Sequence, residues 1–229
     1  MNTKKYILML FVGLFFSVNA HADWYVGADA GLGNMNTDKM KLYVNSTDLT
    51  SMYSTPKTFD TGMIGIFSGY QFNDDFRLEG KYSYIQSENK TTRNNTFTTI
   101  SVEIAANVHK LTMGAYYDYH LNDKSTIFAG AAAGASYIVV PTTVKDDVTL
   151  TYGYNDTKDT NFNFAWDLSV GTSYSLTKNT ELILQYTYTD VGNVDWKTTG
   201  GNGIGGTATF SGDAKMSFSI LSLGMRYKF

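Results

Sequence analysis

The segment "FRLEGKYSY", residues 76–84, decides the fold because its side chains alternate strictly in character. Successive side chains of a β-strand point to opposite faces of the sheet. One face of this segment carries Phe76, Leu78, Gly80, Tyr82 and Tyr84, and the other carries Arg77, Glu79, Lys81 and Ser83. A water-soluble barrel would bury the aromatic face, whereas a membrane barrel would turn it toward lipid and bury the charges.

The same two-residue period recurs through the chain, which predicts an all-β fold. It is clear in "LTMGAYYDYHL" (111–121), "NFNFAWDLSVGTSYSL" (161–176), "ELILQYTYTD" (181–190) and "LSLGMRYKF" (221–229). No long stretch of the sequence carries apolar residues at helical spacing. The composition agrees, since 17 Tyr, 14 Phe, 21 Gly and 2 Pro favour strands and tight turns.

The first 22 residues have the three parts of a secretory signal peptide: basic Lys4 and Lys5, an apolar stretch, and the small-residue site "AHA". The apolar stretch is shorter than the roughly 20 residues that a membrane-spanning helix needs. We expect cleavage after Ala22, leaving residues 23–229 as one domain. That domain has 16 basic and 21 acidic residues, no cysteine, and no basic stripe of the kind that binds nucleic acid.

Eight strands are predicted, joined by connections that alternate between short and long. The strands are expected near residues 23–33, 59–72, 76–86, 100–121, 126–140, 161–176, 180–189 and 214–229. The short connections (73–75, 122–125 and 177–179) contain the Asn and Asp residues that suit tight hairpin turns. The long connections, at 34–58, 86–99, 141–160 and 190–213, are polar. A hairpin inside the first of them would raise the count to ten strands.

The fourth predicted strand is unusually long, and its two halves are out of phase. Ile100, Val102 and Ile104 share one parity, whereas the apolar residues from Leu111 onward have the other. Two explanations are open: a β-bulge near residues 108–110, or a strand that continues beyond the membrane.

An even number of strands of about ten residues, with alternating short and long connections, matches transmembrane barrels of the bacterial outer membrane. We therefore predict an eight-stranded antiparallel up-and-down transmembrane β-barrel, with short periplasmic turns, long extracellular loops and its apolar face in lipid. Aromatic residues of the apolar parity lie near the short turns or the C-terminus, where a membrane-interface girdle is expected. These are Tyr70, Phe72, Phe76, Tyr117, Tyr119, Tyr174, Tyr227 and Phe229. A lipocalin-like soluble barrel is the alternative, but it leaves the alternation of connections unexplained.

The whole mature chain resembles the outer-membrane β-barrel domain of opacity-type surface proteins. The resemblance is carried by "DWYVGADAGLG", "GYQFNDDFRLEGKYSY", "YSLTKNTELILQYTYTDVG" and the terminal "LGMRYKF". In that family an alternating C-terminal segment that ends in an aromatic residue is read by the barrel-assembly machinery. The resemblance implies this role for Met225, Tyr227 and Phe229, and it implies no catalytic residues.

A membrane barrel of eight strands is just wide enough for side chains to fill its lumen, where charges have to be paired. We expect a polar network made of Arg77, Glu79, Lys81, Asp118, Asp167, Gln185 and Arg226. It is interpreted as a structural plug that fixes strand register, and alternatively as a narrow ion path or gate.

Catalysis and cofactor binding have weak support in the sequence. His109 would lie near the outer leaflet, but a hydrolase also needs a nucleophile within hydrogen-bond reach, and only Thr112 is near. His120 lies beside a short turn. No cluster with metal-ligand spacing is present, and we expect no cofactor and no metal.

We expect function to reside in the loops, because loops carry recognition on a barrel scaffold. The predicted role is a non-catalytic surface protein in adhesion, host interaction or envelope integrity; a narrow porin-like channel is the alternative, and a lipid-modifying enzyme is a weaker one. Its partners would be outer-membrane lipid, the assembly machinery and a host or cell-surface ligand. Candidate contact residues are Tyr43, Tyr53, Tyr152, Tyr154 and Trp196, which alternatively cap the barrel mouth.

Overall fold

Nine β-strands make up the described part of the chain. The computed structural model describes residues 24–44, 46–48, 58–95, 98–146, 155–201 and 207–229. The strands are β1 (Trp24–Val44), β2 (Thr47–Asp48), β3 (Thr58–Gln71), β4 (Phe76–Asn95), β5 (Thr98–His120), β6 (Ser125–Asp146), β7 (Asn155–Ser175), β8 (Thr180–Gly201) and β9 (Thr207–Lys228). Within these residues, no helix has the length and apolar character needed to cross a membrane.

Eight of the strands form a closed antiparallel barrel, which confirms the predicted up-and-down fold. Each strand from β3 onward pairs with the next in the chain, β1 pairs with β3, and β1 pairs with β9 to close the wall. The two-residue strand β2 pairs with the end of β1 and is not part of the closed wall. The ten-stranded alternative is therefore wrong for the described residues.

The three short turns lie together at one end of the barrel, which we name the turn end; the opposite end is the far end. In two of the turns an asparagine side chain accepts hydrogen bonds from backbone amides two and three residues ahead, Asn73 from Asp75 and Phe76, and Asn122 from Lys124 and Ser125. The hydroxyl of Thr177 accepts the same pair of bonds in the third turn. Asn and Thr at these positions thus shape the hairpins.

The predicted strand boundaries at the far end were wrong, because most of the residues assigned to long connections belong to strands. β4 extends to Asn95 and β5 begins at Thr98, where a connection of residues 86–99 was expected. Six of the eight barrel strands contain 20 to 22 residues, β5 contains 23, and β3 contains 14. These strand segments lie outside the membrane, so their outer faces are polar. That polar composition led to their assignment as loops.

The wall reverses its polarity partway along the strands. In β5 the inward side chains include Lys110, Thr112 and Asp118 toward the turn end, but Ala106 and Val108 toward the far end. The outer surface changes in the opposite sense. Leu32 of β1 is 77% exposed, whereas the next residues on that face, Asn34, Asn36 and Asp38, are polar. In the part of the barrel that lies in lipid the outer surface is apolar, whereas in the part that lies in water the inner surface is apolar.

This reversal explains the phase change in β5 without a bulge. The pairing of β5 with β4 runs without a break from Tyr117 to Thr98, and its register with β6 is also unchanged. The predicted bulge near residues 108–110 is therefore wrong, and the alternative of a strand that rises beyond the membrane is right. Register shifts occur elsewhere, between Asp38 and Lys41 of β1 and between Asp190 and Gly192 of β8.

Candidate functional site

Arg77 is the centre of a buried polar cluster in the lumen near the turn end. Its Nε donates to both carboxylate oxygens of Asp118 at 3.0 and 3.1 Å, and its Nη1 lies 3.0 Å from Oε2 of Glu79. The Tyr25 hydroxyl donates to that same Glu79 oxygen at 3.1 Å. Arg77 is 3% exposed, so a planar cation is held between two carboxylates away from bulk water.

Aromatic rings enclose the guanidinium of Arg77. Its Cζ lies 4.3 Å from the ring centroid of Tyr116 and 4.7 Å from that of Phe128, both within the range of a cation–π contact. These rings, with Tyr25, Phe67 and Ile183, form a buried apolar cluster around the charges. The cluster excludes water and strengthens the ion pairs inside it.

A second arginine closes the turn end of the lumen. Arg226 pairs with Glu181 through Nε at 2.9 Å and through Nη2, and Lys228 binds the other oxygen of the same carboxylate at 2.6 Å. The Arg226 guanidinium lies 5.0 Å from the ring centroid of Tyr25. Tyr25 therefore connects the two arginine clusters.

Two lysine–aspartate pairs form the next layer toward the far end. Lys81 pairs with Asp29, and Lys110 pairs with Asp167. Thr189 contacts both members of the second pair, since its hydroxyl lies 3.0 Å from Nζ of Lys110 and donates to Asp167 at 2.7 Å. Together with the arginine clusters, these contacts pair five cations with five carboxylates. Among the described residues of these layers, the numbers of positive and negative charges are equal.

The structure brings six of the seven residues assigned to the lumen network into ion pairs; Gln185 lies in the lumen too, but its amide donates to Thr187. The network also contains four charged residues that were not assigned to it: Asp29, Lys110, Glu181 and Lys228. Each has the inward parity of its strand, which was the available signal. Lys110 was missed because a bulge had been placed at its position.

An apolar plug lies above the charged layers, where the wall has reversed its polarity. It consists of Met35, Phe59, Met63, Ile85, Ala106, Val108, Ile138, Val140, Ala165, Val191, Val194, Trp196, Met216, Phe218 and Ile220. A cavity of about 10 Å³ lies between the plug and the lysine layer, which is about the volume that one water molecule requires. Packed side chains thus fill the described lumen.

His109 lies on the outer surface of the wall. Its Nδ1 is 2.7 Å from the Tyr82 hydroxyl, and the rings of Tyr84 and Tyr137 lie beside it, with centroids 5.0 and 6.3 Å away. Thr112, the hydroxyl considered as its nucleophile, is buried on the inner face and donates to Asp167 at 3.4 Å. The two side chains therefore point to opposite sides of the wall.

Two of the five aromatic residues proposed as ligand contacts are described. Tyr43 is half-buried at the far end of β1, and Tyr53, Tyr152 and Tyr154 lie outside the described residues. Trp196 is 4% exposed and belongs to the apolar plug, so its assignment as an exposed contact was wrong. The shift between Asp190 and Gly192 changes the parity of β8, which turns Trp196 inward.

The outer surface carries the expected aromatic girdle at the turn end. Neighbouring rings meet edge to face, with centroids 5.2 Å apart for Trp24 and Tyr70 and 5.1 Å for Phe76 and Tyr117. Above this girdle lie exposed aliphatic residues such as Leu223. Lipid is the environment in which such a surface is stable.

The described residues hold no group of three or more histidines or carboxylates placed to bind a metal.

A closed barrel with a charged, filled lumen and an apolar outer belt defines the class of integral outer-membrane proteins. The chain belongs to the family described as the outer membrane protein beta-barrel domain, whose model matches residues 8–229. It is thus a protein of the bacterial outer membrane, with its turn end toward the periplasm and its far end outside the cell.

Individual relatives agree with this family. The chain is 26% identical over 221 residues to a Rickettsia felis protein named "Putative adhesin", covering 93% of this chain and 90% of the relative. It is 22% identical over 235 residues to outer membrane protein PagN of Salmonella typhimurium, covering 97% of each.

Two solved structures share the barrel fold at low sequence identity. OprG of Pseudomonas aeruginosa has a TM-score of 0.56 and 12% identity, covering 92% of this chain and 98% of that one. The outer membrane protease OmpT of Escherichia coli has a TM-score of 0.56 and 10% identity, covering 93% and 99%. These likenesses concern the fold alone.

Proposed function

We propose that this outer-membrane protein is a non-catalytic surface adhesin whose extracellular half contacts host cells. The observation that carries the proposal is the length of the strands. A tilted strand crosses the bilayer in about 9–11 residues, whereas β5, β6, β8 and β9 have 22 or 23. About half of each of these strands therefore projects from the cell as folded β-structure.

The projecting half is built to keep its shape in water. The apolar plug gives it a core of the kind found in soluble proteins, and its outer face is polar. A rigid platform of this kind limits the conformational entropy that is lost when a ligand binds. The naming of the Rickettsia felis relative as an adhesin supports the same role, and a contribution to envelope integrity is compatible with it.

The lumen and His109 favour a binding role over transport or catalysis. An ion path would have to pass the packed apolar plug, which offers no compensation for lost hydration. A hydrolytic centre at His109 would need a nucleophile on the outer surface, and Thr112 points into the lumen. Similarity to OmpT, at 10% identity, concerns the fold alone.

We also infer the route to the membrane. Residues 1–22 act as a cleaved signal peptide, and Met225, Tyr227 and Phe229 form the signal for the barrel-assembly machinery. In the folded barrel the backbone amide of Phe229 donates to the carbonyl of Trp24 at 3.0 Å, so the C-terminus takes part in closing the wall.

The proposal is tested by displaying the protein on bacteria that do not otherwise bind host cells and measuring whether they gain binding. The protein is displayed on a laboratory strain, and bacteria bound to cultured host epithelial cells are counted. Replacing residues 49–57, 147–154 or 202–206, one segment at a time, with a short Gly/Ser connector should reduce binding in at least one case. The matched control lengthens the periplasmic turn at residues 177–179. A displayed wild-type protein that gives no more binding than empty cells would refute the proposal.

A further inference from the structure

The barrel wall is incomplete between β7 and β8 on the extracellular side. β7 pairs with β6 up to Asn155, and β8 pairs with β9 up to Gly201, so both strands are fully paired on their other sides. Between them, main-chain pairing ends at Trp166 and Asp190. A cleft therefore opens in the wall above this point.

A β-bulge in β8 opens the cleft. The register of β8 against β9 shifts between Asp190 and Gly192, and Gly192 has φ = +82°, a conformation that L-residues with side chains rarely adopt. The carboxylate of Asp190 accepts a hydrogen bond from the Gly192 amide at 2.9 Å, which holds the bulge. Bulges bend the strand that carries them. The bend takes β8 away from β7.

Side chains of β7 span the cleft and bind the backbone of β8. Asn161 donates to the carbonyl of Asp195 at 3.0 Å and accepts from the amide of Asp195 at 3.1 Å. Asn163 donates to the carbonyl of Asn193 at 2.6 Å, and Asp159 accepts from the amide of Lys197 at 2.7 Å. The β8 residues are two apart, which is the spacing at which a neighbouring strand would bind them.

These side chains act as substitutes for a strand. The four hydrogen bonds lie at exposed positions, so exchanging them for bonds to an incoming backbone costs little net free energy. An extended polypeptide presents backbone amides and carbonyls at the same two-residue spacing. An unpaired strand edge is therefore a template on which another chain can pair. An extended peptide is therefore the occupant that fits this edge.

The charges around the cleft indicate the character of that peptide. A volume of about 440 Å³ is lined by three aspartates, Asp159, Asp195 and Asp213, and by one lysine, Lys197. Tyr43 of β1 lines the same space. Complementary charge steers a partner and fixes its register. A segment with basic side chains at alternate positions matches this lining.

We propose that the β7–β8 cleft binds an extended, basic segment of a partner protein by β-strand addition to β8. The inference rests on the proposed function, because it names the chemical class of the ligand that the adhesin contacts. In this arrangement the incoming backbone replaces Asp159, Asn161 and Asn163 as the partner of β8.

Purified protein in zwitterionic detergent provides the direct test, with a fluorescent octapeptide of alternating threonine and lysine as the probe. Saturable binding by wild type is expected. Asp195→Pro should weaken it about tenfold, because proline removes an amide that faces β7 while the ladder to β9 keeps its bonds. Asp195→Asn keeps that amide and should stay within about threefold. Asn161→Ala, which removes the competing side chain, should bind at least as tightly as wild type.

Two further measurements make the outcome decisive. Lys197→Pro removes the next amide on the same edge and repeats the test if Asp195→Pro fails to fold. On displayed bacteria, Asp195→Pro should lower adhesion to host cells, and trypsin treatment of those cells should abolish it. Absence of saturable peptide binding by wild type, or equal binding by the proline variants, would overturn the inference. Adhesion that survives trypsin but is lost after removal of surface glycans would also overturn it and leave the proposed function intact.

Discussion

The ring of Tyr116 covers Gly130, its direct partner on the neighbouring strand. The two residues are paired in the register of β5 and β6, and a Cβ atom placed on Gly130 would lie 2.2 Å from the ring carbon Cδ1. The ring in turn supports the Arg77 guanidinium. The absence of a side chain at Gly130 thus leaves room for the Tyr116 ring to lie against the wall, with the Arg77 guanidinium stacked on that ring.

The same pairing recurs around the turn end of the lumen. Each of the other three aromatic residues of the cluster also faces a glycine across its strand pair: Tyr25 with Gly69, Phe67 with Gly27, and Phe128 with Gly171. Glycines of the inward parity therefore have a packing role, and covering them with aromatic rings stabilises the strand pairs.

Replacing Gly130 with alanine should destabilise the barrel. The new methyl group would displace the Tyr116 ring, and overpacking of this kind costs about 1–3 kcal/mol. The measurement is urea-induced unfolding in lipid vesicles, with tryptophan fluorescence as the readout. Gly62→Ala is the matched control, because a Cβ there meets no atom within 4 Å. Equal losses in the two variants would contradict the assigned role of Gly130.

Replacing Arg77 with alanine should lower the stability of the barrel more than removing a charged side chain that is exposed to solvent. The change leaves Asp118 and Glu79 buried without their cation, and removing one partner of such a pair costs about 3–5 kcal/mol. Lys215→Ala, which removes a half-exposed lysine from its pair with Asp190, should have a smaller effect. Unfolding midpoints in the same vesicles give the comparison, and similar midpoints for the two variants would show that the lumen network contributes little.

The strand order, the turns and the orientation of the membrane half could be predicted because a constant environment gives a constant pattern. Arg77, Glu79 and Lys81 alternate with residues in lipid, so parity alone assigns them to the lumen. Beyond the membrane this rule reverses, since water replaces lipid outside. Val108 and Lys110 share a parity and both point inward, although one is apolar and the other charged. No pattern with fixed polarity covers both halves.

The cleft between β7 and β8 was beyond sequence reasoning for a different reason. It depends on the bulge next to Gly192, and the composition around it is that of an ordinary polar connection. One inserted residue changes the parity of everything that follows and turns Trp196 inward, whereas the sequence had placed Trp196 in an exposed connection. The available signal was Gly192 two residues after Asp190, but the same spacing occurs at Asp29 and Gly31 and at Asp60 and Gly62, where the register does not shift.

The filled lumen leads to a prediction about conductance. Purified wild-type protein in planar bilayers should give no stable open channel, because the apolar plug leaves no hydrated path past the charged layers. An established outer-membrane porin added to the same bilayer serves as the positive control. Stable channels with an ion selectivity that Arg77→Ala alters would show instead that the lumen network lines a pore.

His109 should make no contribution to lipid chemistry. Its ring is held among three tyrosines, and the hydroxyl of Thr112 lies on the other side of the wall. Lipid A from a bacterium expressing wild-type protein should have the same mass as lipid A from one expressing His109→Ala, as measured by mass spectrometry. A mass difference that depends on His109 would assign an enzymatic role.

The C-terminal phenylalanine should matter more for assembly in cells than for stability once the barrel has formed. Phe229 is half-exposed on the outer surface, and its ring packs edge to face on Tyr227 with centroids 5.5 Å apart. Phe229→Ser should therefore remove one exposed contact and leave the backbone bond to Trp24 in place. We expect a severalfold loss of folded protein in the outer membrane, with an unfolding midpoint in vesicles close to that of wild type. Phe72→Ser, which changes another exposed ring of the girdle away from the terminus, is the matched control and should assemble normally. If both variants assemble equally well, the terminal residue carries no assembly signal, and if Phe229→Ser refolds poorly in vitro as well, its role is structural.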